Sequence, residues 1–477
     1  MLLFFVVLIA GFGLQVKGQV LSTPISYDFA ISLESQLTLL KWKETHVRNL
    51  FNYRESLDKH LKEIKLAINY SENLLKSASQ FQHNALSEFK VLRHIHKDWP
   101  KYLKLLKKEL GTKEISLSQE LLIKQPTSED FEESLGAIYR LQTVYNLDSS
   151  DMVEGILDGN NFNAKKWSID ECLILGLMYQ NFKHYDQADY WLQLALYHYE
   201  KHPNPDDLKI KLWSYPNLLE FLMEAKKGLG LYLEAKQLAT KLLSIVPRQS
   251  YMLKQLPKLD YLQANPPNLK ERKKDFQIQK TICSKHYPKQ ISRKLICRYT
   301  NWTPFLILAP LKIELLSINP TVFIIPDFVT QKDIEILKAV SRPKLQRNQH
   351  LSWNCSCKIS TLFSSSHKIV HKMNRRINDV TGFKMNKNQM LEVINYGIAG
   401  NYNPDDTTKS RSNHLANALI YLSNAEKGGE IVFPSLEVKV KPKKGTMLVW
   451  VNPEGSVLYH QCPLLKGNMW LANKMLK

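Results

Sequence analysis

The sequence predicts a multidomain α + β protein, with a helical N-terminal region, a helical-repeat domain and a C-terminal β-rich domain. Three observations predict this. The stretch from Leu33 to about Leu110 has no glycine and a single proline. Between Trp167 and Pro247, small and aromatic residues recur at offsets typical of paired helices. After about Trp302 the pattern changes to two helical segments and many short strand-like runs separated by turns.

The chain opens on an apolar run, Leu2 to Leu14, shorter than the roughly 20 residues that span a bilayer. Val16-Lys17-Gly18 follows, with small residues at the −3 and −1 positions of a cleavage site before Gln19. Residues 1–18 are therefore expected to be a signal peptide, although no Lys or Arg precedes the apolar run. No later stretch is apolar enough to cross a membrane. The expected compartment is the endoplasmic-reticulum lumen or beyond, and three acceptor sequons fit it, at Asn69, Asn301 and Asn354. Sixty-five Lys and Arg against 45 Asp and Glu give a net charge of +20. The basic residues are scattered over every segment, so they read as a solvated surface rather than a nucleic-acid site. Six cysteines in 477 residues exclude a disulfide scaffold but allow a few bridges.

Residues 19–160 are expected to form a helical dimerisation region. Leu40, Lys43, Val47, Leu50, Arg54, Leu57, Leu61, Ile64 and Ile68 lie three and four apart, and seven of these nine are apolar. That is a coiled-coil-like seam, weakened by Lys43 and Arg54. Residues 161–250 are expected to form a tetratricopeptide-like domain. One helix pair carries Leu175-Gly176, Tyr179, Tyr185, Ala188, Leu192 and Ala195, and a second ends on Tyr232, Ala235, Ala239 and Pro247. In the second pair, Met223 and Lys226 stand where Gly and Tyr would sit. Such repeats present a concave groove, and aromatic grooves suit the preformed polyproline II helix of Pro-rich peptides. Tyr179, Tyr185, Tyr190, Tyr197 and Tyr232 are the candidates to line it, with some of them expected to serve packing. Residues 251–300 are basic, Pro-bearing and poorly periodic, and read as a linker. Cys283 and Cys297 bracket its end in a position to close a loop.

Residues 301–477 are expected to form the β-rich domain. Thr321–Ile325 reads as a strand, and Gln331–Ser341 and Lys368–Val380 as helices. Strand-like runs then follow at 391–398, 418–422, 430–433, 438–440, 446–451, 457–465 and 469–474, punctuated by Gly428-Gly429 and Gly445. This pattern suggests a jelly-roll, or double-stranded β-helix.

Several stretches resemble the α subunit of animal collagen prolyl 4-hydroxylase, across nearly the whole chain. They are Arg140–Asp148, Ile169–Gly176, Cys283 with Leu295–Tyr299, Asn395-Tyr396-Gly397, Gly428–Pro434, Pro442–Gly445, Cys462-Pro463 and Gly467-Asn468. The resemblance implies a complex with protein disulfide isomerase as β subunit, an α-subunit dimer and binding of Pro-rich, collagen-like peptides. It also implies proline hydroxylation with Fe(II), 2-oxoglutarate and ascorbate, and a disulfide between Cys283 and Cys297. No KDEL-like tail follows, so retention in the lumen is expected to need a partner.

An oxygenase of this type holds iron with two His and one carboxylate and leaves open positions for oxoglutarate and oxygen. By resemblance, the first His and the carboxylate follow a Tyr-x-Pro. The second His lies three residues before Cys-Pro, and a Lys ten residues beyond it pairs with oxoglutarate. Here Tyr402-Asn403-Pro404 is followed by Asp405 and Thr407, Tyr459 precedes Cys462, and Met469 replaces the Lys. Thr407 cannot supply a carboxylate, and a phenol with pKa near 10 offers little phenolate without a metal. Burying an oxoglutarate carboxylate without its cation costs several kcal/mol, about a thousandfold in affinity. Asp406, His414 and His460 are the possible substitute ligands, with Lys466 or Lys474 to replace the lost cation. Strand alternation puts His460 on the opposite face from Tyr459. The expectation is a pseudoenzyme that needs no cofactor, and the alternative is an active hydroxylase with substitute ligands. The His-x-Asp/Glu pairs at His96, His184 and His198 fall in helices and are expected at the surface. The sequence stops at Lys477, short of the family's last cysteine, so Cys462 is expected to be free or to pair with Cys355 or Cys357.

Overall fold

In the computed structural model the described residues are 28–78, 85–161, 166–201, 214–266, 282–283, 296–301, 303–347, 356–383, 390–401, 415–451 and 457–476. The helical part opens with α1 (Leu33–Ala78), followed by α2 (Ala85–Leu106) and α3 (Thr112–Ile123). The face of α1 that meets its neighbours carries Asn49, which donates through Nδ2 to Glu114 O at 2.7 Å and Ser118 Oγ at 3.0 Å. Gly111 adopts φ 71°, and a Cβ there would lie 2.0 Å from the Tyr53 ring, so the turn into α3 needs glycine. On α2, Asp98 is buried beneath Arg93, Lys101 and His94, and hydrogen bonds from these three hold its carboxyl far below the usual range. The expectation of a surface Asp98 is corrected by this cluster. Of the apolar residues in the seam predicted on α1, Leu40, Val47, Leu50, Leu61 and Ile68 are exposed, and Leu57 and Ile64 are half-buried.

Helix α4 (Ser128–Tyr145) starts on a capping box in which Thr127 Oγ1 accepts from Asp130 N and Asp130 Oδ2 accepts from Thr127 N. Helix α5 (Ser149–Val153) and a two-stranded hairpin, β1 (Ile156–Leu157) with β2 (Asn160–Asn161), follow. Then α6 (Ile169–Asn181), α7 (Tyr185–Lys201), α8 (Tyr215–Gly228), α9 (Tyr232–Ile245) and α10 (Ser250–Ala264) pack each against the next. The small residues predicted to let these helices approach are at the contacts. Ala188, Ala195, Ala235 and Ala239 are fully buried, and a Cβ on Gly176 would lie 2.7 Å from Leu192. Helix α10 occupies residues expected to be linker. Met252, Gln255 and Leu259 are buried at spacings of three and four, a helical period that intervening lysines and Pro257 disguise.

The C-terminal part is built on a nine-stranded antiparallel sheet. Its first strands are β3 (Cys297–Thr300), β4 (Leu311–Ser317) and β5 (Val322–Ile325), with the short α11 (Pro304–Leu308) after β3. After α12 (Gln331–Ser341) come β6 (Gln346–Arg347) and β7 (Cys357–Leu362), then α13 (Lys368–Thr381) and β8 (Leu391–Tyr396). The remaining strands are β9 (Ala416–Tyr421), β10 (Ala425–Gly428), β11 (Ile431–Phe433), β12 (Val438–Val440), β13 (Met447–Val451), β14 (His460–Gln461), β15 (Leu464–Gly467) and β16 (Trp470–Leu476). The large sheet has the order β3-β4-β5-β13-β9-β16-β8-β7-β6, beside a three-stranded sheet β12-β11-β14 and a two-stranded sheet β10-β15. Strand alternation gives the large sheet two buried faces. One packs Val393, Ala418, Ile420, Val449 and Ala472 against Leu337, Ile369, Met373 and Ile377 of α12 and α13. The other packs Ile394, Tyr396, Leu419, Tyr421, Leu448, Trp450 and Leu471 against Ile431, Phe433 and Val440 of the three-stranded sheet. This second interface is the interior in which the candidate site lies.

One predicted cysteine pairing is corrected. Cys283 is bonded to Cys462, not to Cys297, which is an exposed free thiol. The reason lies in packing. Ile282 and Cys283 are buried with Val144, Val432 and Cys462, and Lys439 Nζ donates to Cys283 O at 2.8 Å. Cys297 instead lies on an edge strand, β3, with its side chain in solvent. Cys357 is also disulfide-bonded.

Candidate functional site

Strand register sorts the predicted positions by face. On β14, Gln461 pairs with Ile431 and His460 with Val432. Ile431 and Phe433 point into the interior, whereas Val432 points to the outer side, with Cys462 and Val144. Directly opposed residues share a face, so Gln461 points inward and His460 outward. Tyr459, one residue before β14, is half-buried on the inner side. Its ring meets Trp450 edge-on at 4.9 Å between centroids and lies 6.3 Å from Phe433. Met469 is fully buried in the same cluster, near enough to Gly429 that a Cβ there would lie 3.3 Å from its methyl.

Among the described residues the interior is lined by apolar and neutral polar side chains. Tyr396 Oη donates to Gln461 Oε1 at 2.8 Å, with both residues buried. Burial, helped by the Glu430 charge, raises the Tyr421 phenol far above its ordinary value. The buried atoms Tyr421 Oη and Trp450 Nε1 have no hydrogen-bond partner among the described residues. These neutral donors can meet an acceptor, but they carry no charge to offset a buried carboxylate.

The substitute residues that are described lie away from the inner face. His460 is on the wrong face for a ligand set that includes Tyr459. Lys466 lies on β15, where its Nζ is 2.6 Å from Glu426 Oε2. Lys474 is fully buried, but β16 places it on the helix-covered face with Trp470, Ala472 and Leu476. Burial brings its pKa down to about 8. Asp405, Asp406, Thr407 and His414 lie outside the described residues. Among the described residues, no group of three or more His, Cys, Asp or Glu is placed to hold a metal ion. The described inward-facing residues Tyr459, Gln461 and Met469 offer neither an imidazole nor a carboxylate to an iron ion, and no cation to oxoglutarate.

The tyrosines proposed to line the groove divide. Tyr179 is fully buried and donates to Gln142 Oε1, which also accepts from Trp191 Nε1 at 3.0 Å. Tyr232 is buried between helices, and Tyr185 is half-buried against Gly228. Tyr190 and Tyr197 are exposed and lie seven residues apart, on one face of α7. Tyr197 has Lys201 over its ring, at 5.3 Å. Nearby, Tyr215 donates to Glu200 at 2.8 Å under Lys241. Of the sequons, Asn69 and Asn301 are exposed, and Asn354 lies outside the described residues. Sequence reasoning missed Gln461 and Tyr396, whose pairing depends on two strands meeting across the interior.

Comparison with known proteins gives a consistent result. Residues 32–159 match the family described as Prolyl 4-Hydroxylase alpha-subunit, N-terminal region. The chain is 27% identical to prolyl 4-hydroxylase subunit alpha-1 of Homo sapiens, over 94% of this chain and 93% of that protein. It is 26% identical to prolyl 4-hydroxylase subunit alpha-2 of Caenorhabditis elegans, over 83% of this chain and 81% of that protein. Among solved structures, a viral collagen prolyl hydroxylase from Paramecium Bursaria Chlorella virus-1 matches at 19% identity and a TM-score of 0.28, covering 32% of this chain and 94% of that one.

Proposed function

Because the chain belongs to the collagen prolyl 4-hydroxylase α-subunit family, we propose that it is a member that has lost catalysis and serves as a peptide-binding or assembly subunit. One observation carries the reading. The positions that would hold iron and oxoglutarate are occupied, on the inner face, by Tyr459 and Met469, packed among Trp450, Phe433 and Gly429. A dioxygenase needs an open, charged cavity there, and these side chains supply an apolar one.

The finer architecture belongs to the same proposal. The large and small sheets form a double-stranded β-helix, and helices α6–α9 are tetratricopeptide-like pairs that end on Pro247. Tyr190 and Tyr197 are the tyrosines placed to meet a Pro-rich peptide, since both present their rings to solvent from one helix face. The exposed seam of α1 is the surface for pairing with a second α subunit, identical or paralogous. The protein works in the endoplasmic-reticulum lumen after loss of residues 1–18, glycosylated at exposed Asn69 and Asn301, with protein disulfide isomerase as partner.

The test is succinate formation by the full chain co-expressed with protein disulfide isomerase, given Fe(II), ascorbate, 2-oxoglutarate and a (Pro-Pro-Gly)-type peptide. A matched variant carries Asp405→His, Thr407→Asp, Tyr459→His and Met469→Lys. The expected result is no peptide-stimulated turnover above the iron-free blank in the natural chain, together with retained peptide binding. Iron-dependent succinate from the natural chain would overturn the reading in favour of an active hydroxylase with substitute ligands.

A further inference from the structure

The segment before α1 is buried against the far end of the molecule. Phe29, Ala30, Ile31 and Ser32 are each at most 4% exposed. Ala30 joins two parts of the fold: its N–H donates to Asp130 Oδ1 of α4 at 3.4 Å, and its carbonyl accepts from Ile398 N at 3.0 Å. Ser32 Oγ donates to Asn395 Oδ1 at 2.7 Å, and the same oxygen accepts from Glu34 N at 3.1 Å. A side chain of β8 thus caps the first turn of α1 together with the local residue Ser32, whose Oγ accepts from Ser35 N at 3.4 Å. Lys358 of β7 pairs with Asp28 at 3.4 Å, and Arg342 with Glu34 at 3.2 Å.

What the segment grips is the turn that leaves β8. A Cβ on Gly397 would lie 2.0 Å from Ala30 O, so this glycine is required by the crossing chain. The turn is closed by Gly400 N donating to Gly397 O at 3.2 Å, with Ala399 at φ 47°. Its other side accepts from Leu464 N, through Gly400 O, at 3.0 Å. Ile398 and Ala399 pack into the core of the helical part. From Asn401 the sequence runs directly to Tyr402 and Asp405.

We propose that Asp28–Glu34 is a coupling strap through which the N-terminal arm sets the order of the 397–401 turn. The strap is continuous with α1, so any partner bound along the exposed seam of α1 acts on the helix whose first turn is capped by Asn395. Opening the strap frees the β8 turn, and docking it fixes that turn against α4 and β15. The proposal does not depend on whether the interior is catalytic.

Hydrogen exchange of the full chain, read by mass spectrometry, tests it. Gly397→Ala forces the strap off the turn, and Ser32→Ala removes its hydroxyl's bonds to Asn395 and to Ser35 N without adding bulk, so that segment 398–401 is the deciding readout. Gly397→Ala is expected to speed exchange about tenfold in both 33–37 and 398–401, the loss of roughly one buried hydrogen bond. Ser32→Ala is expected to give a severalfold rise in the same two segments, with β9 and β13 unchanged as the internal control for folding. Faster exchange in 33–37 with 398–401 unaltered in Ser32→Ala would overturn the proposal, because the segment would then be a passive anchor.

Discussion

Among single residues, Lys474 has the clearest measurable consequence. Its side chain is fully buried beside Trp470, Ala472 and Leu476, and burial depresses its pKa to about 8. The unfolded chain, with an ordinary lysine near 10.4, holds the proton to higher pH than the folded chain. Between about pH 8 and 10.4 the unfolded state therefore binds more protons, and this group makes stability rise with pH. Below about pH 8 both states are protonated and this group adds no further slope. Lys474→Met is expected to flatten that rise. Urea unfolding of both proteins at pH 7 and pH 10 checks it, and an equal stability difference at the two pH values would refute it. The sequence showed which side chains stand at 405, 407, 459 and 469, where the resemblance implies ligands, because identity needs no structure. It did not show that Gln461 would meet Tyr396, since that contact joins β14 to β8 across the interior.

For elements, legibility followed period and chemistry. Helices α12 and α13 and strands β8, β9 and β13 carry apolar residues at their own period, and the predicted runs overlap them. Strands β4 and β7 went unread, because Lys312 and Glu314 in one and Lys358 in the other interrupt the apolar pattern. The Arg140–Asp148 stretch turns out to be a junction. Gln142 accepts from Tyr179 and Trp191, Tyr145 donates to Pro463 O at 2.6 Å, and Asn146 ends α4 in the left-handed region. In the degenerate second repeat, Lys226 replaces the usual tyrosine and joins three helices. Its Nζ lies 3.0 Å from Asp189 on α7 and 2.7 Å from Glu234 on α9. Burial opposes its charge, but the hydrogen-bonded carboxylates prevail and raise its pKa. Lys226→Met leaves the mostly buried Asp189 without its cation and is expected to cost about 2 kcal/mol. Adding Asp189→Asn should recover most of that loss. A double-mutant cycle by chemical denaturation decides, with strictly additive effects counting against an ion-paired clamp.

At the scale of the whole molecule, the Cys283–Cys462 bond closes a sequence separation of 179 residues and ties the segment after α10 to the three-stranded sheet. The sequence favoured the short loop to Cys297, which local spacing makes visible, while the partner chosen by packing is distant along the chain. The distinction has a large expected effect. Chain-entropy arguments assign a loop of this size about 5 kcal/mol, and measured disulfides commonly give about 2–4. Replacing both Cys283 and Cys462 with Ala is therefore expected to lower stability by several kcal/mol. Cys297→Ala touches an exposed thiol on an edge strand and should stay within about 0.5 kcal/mol. Thiol chemistry gives a second readout on the same protein. Cys297 should alkylate readily in the folded chain, whereas burial pushes the Cys172 thiol up to about 12 and keeps it unreactive until unfolding. Peptide mapping without reduction completes the test. Recovery of a Cys283–Cys297 cross-link, with Cys297 resistant to alkylation, would mean that the linker closes on itself and that the three-stranded sheet is not tethered.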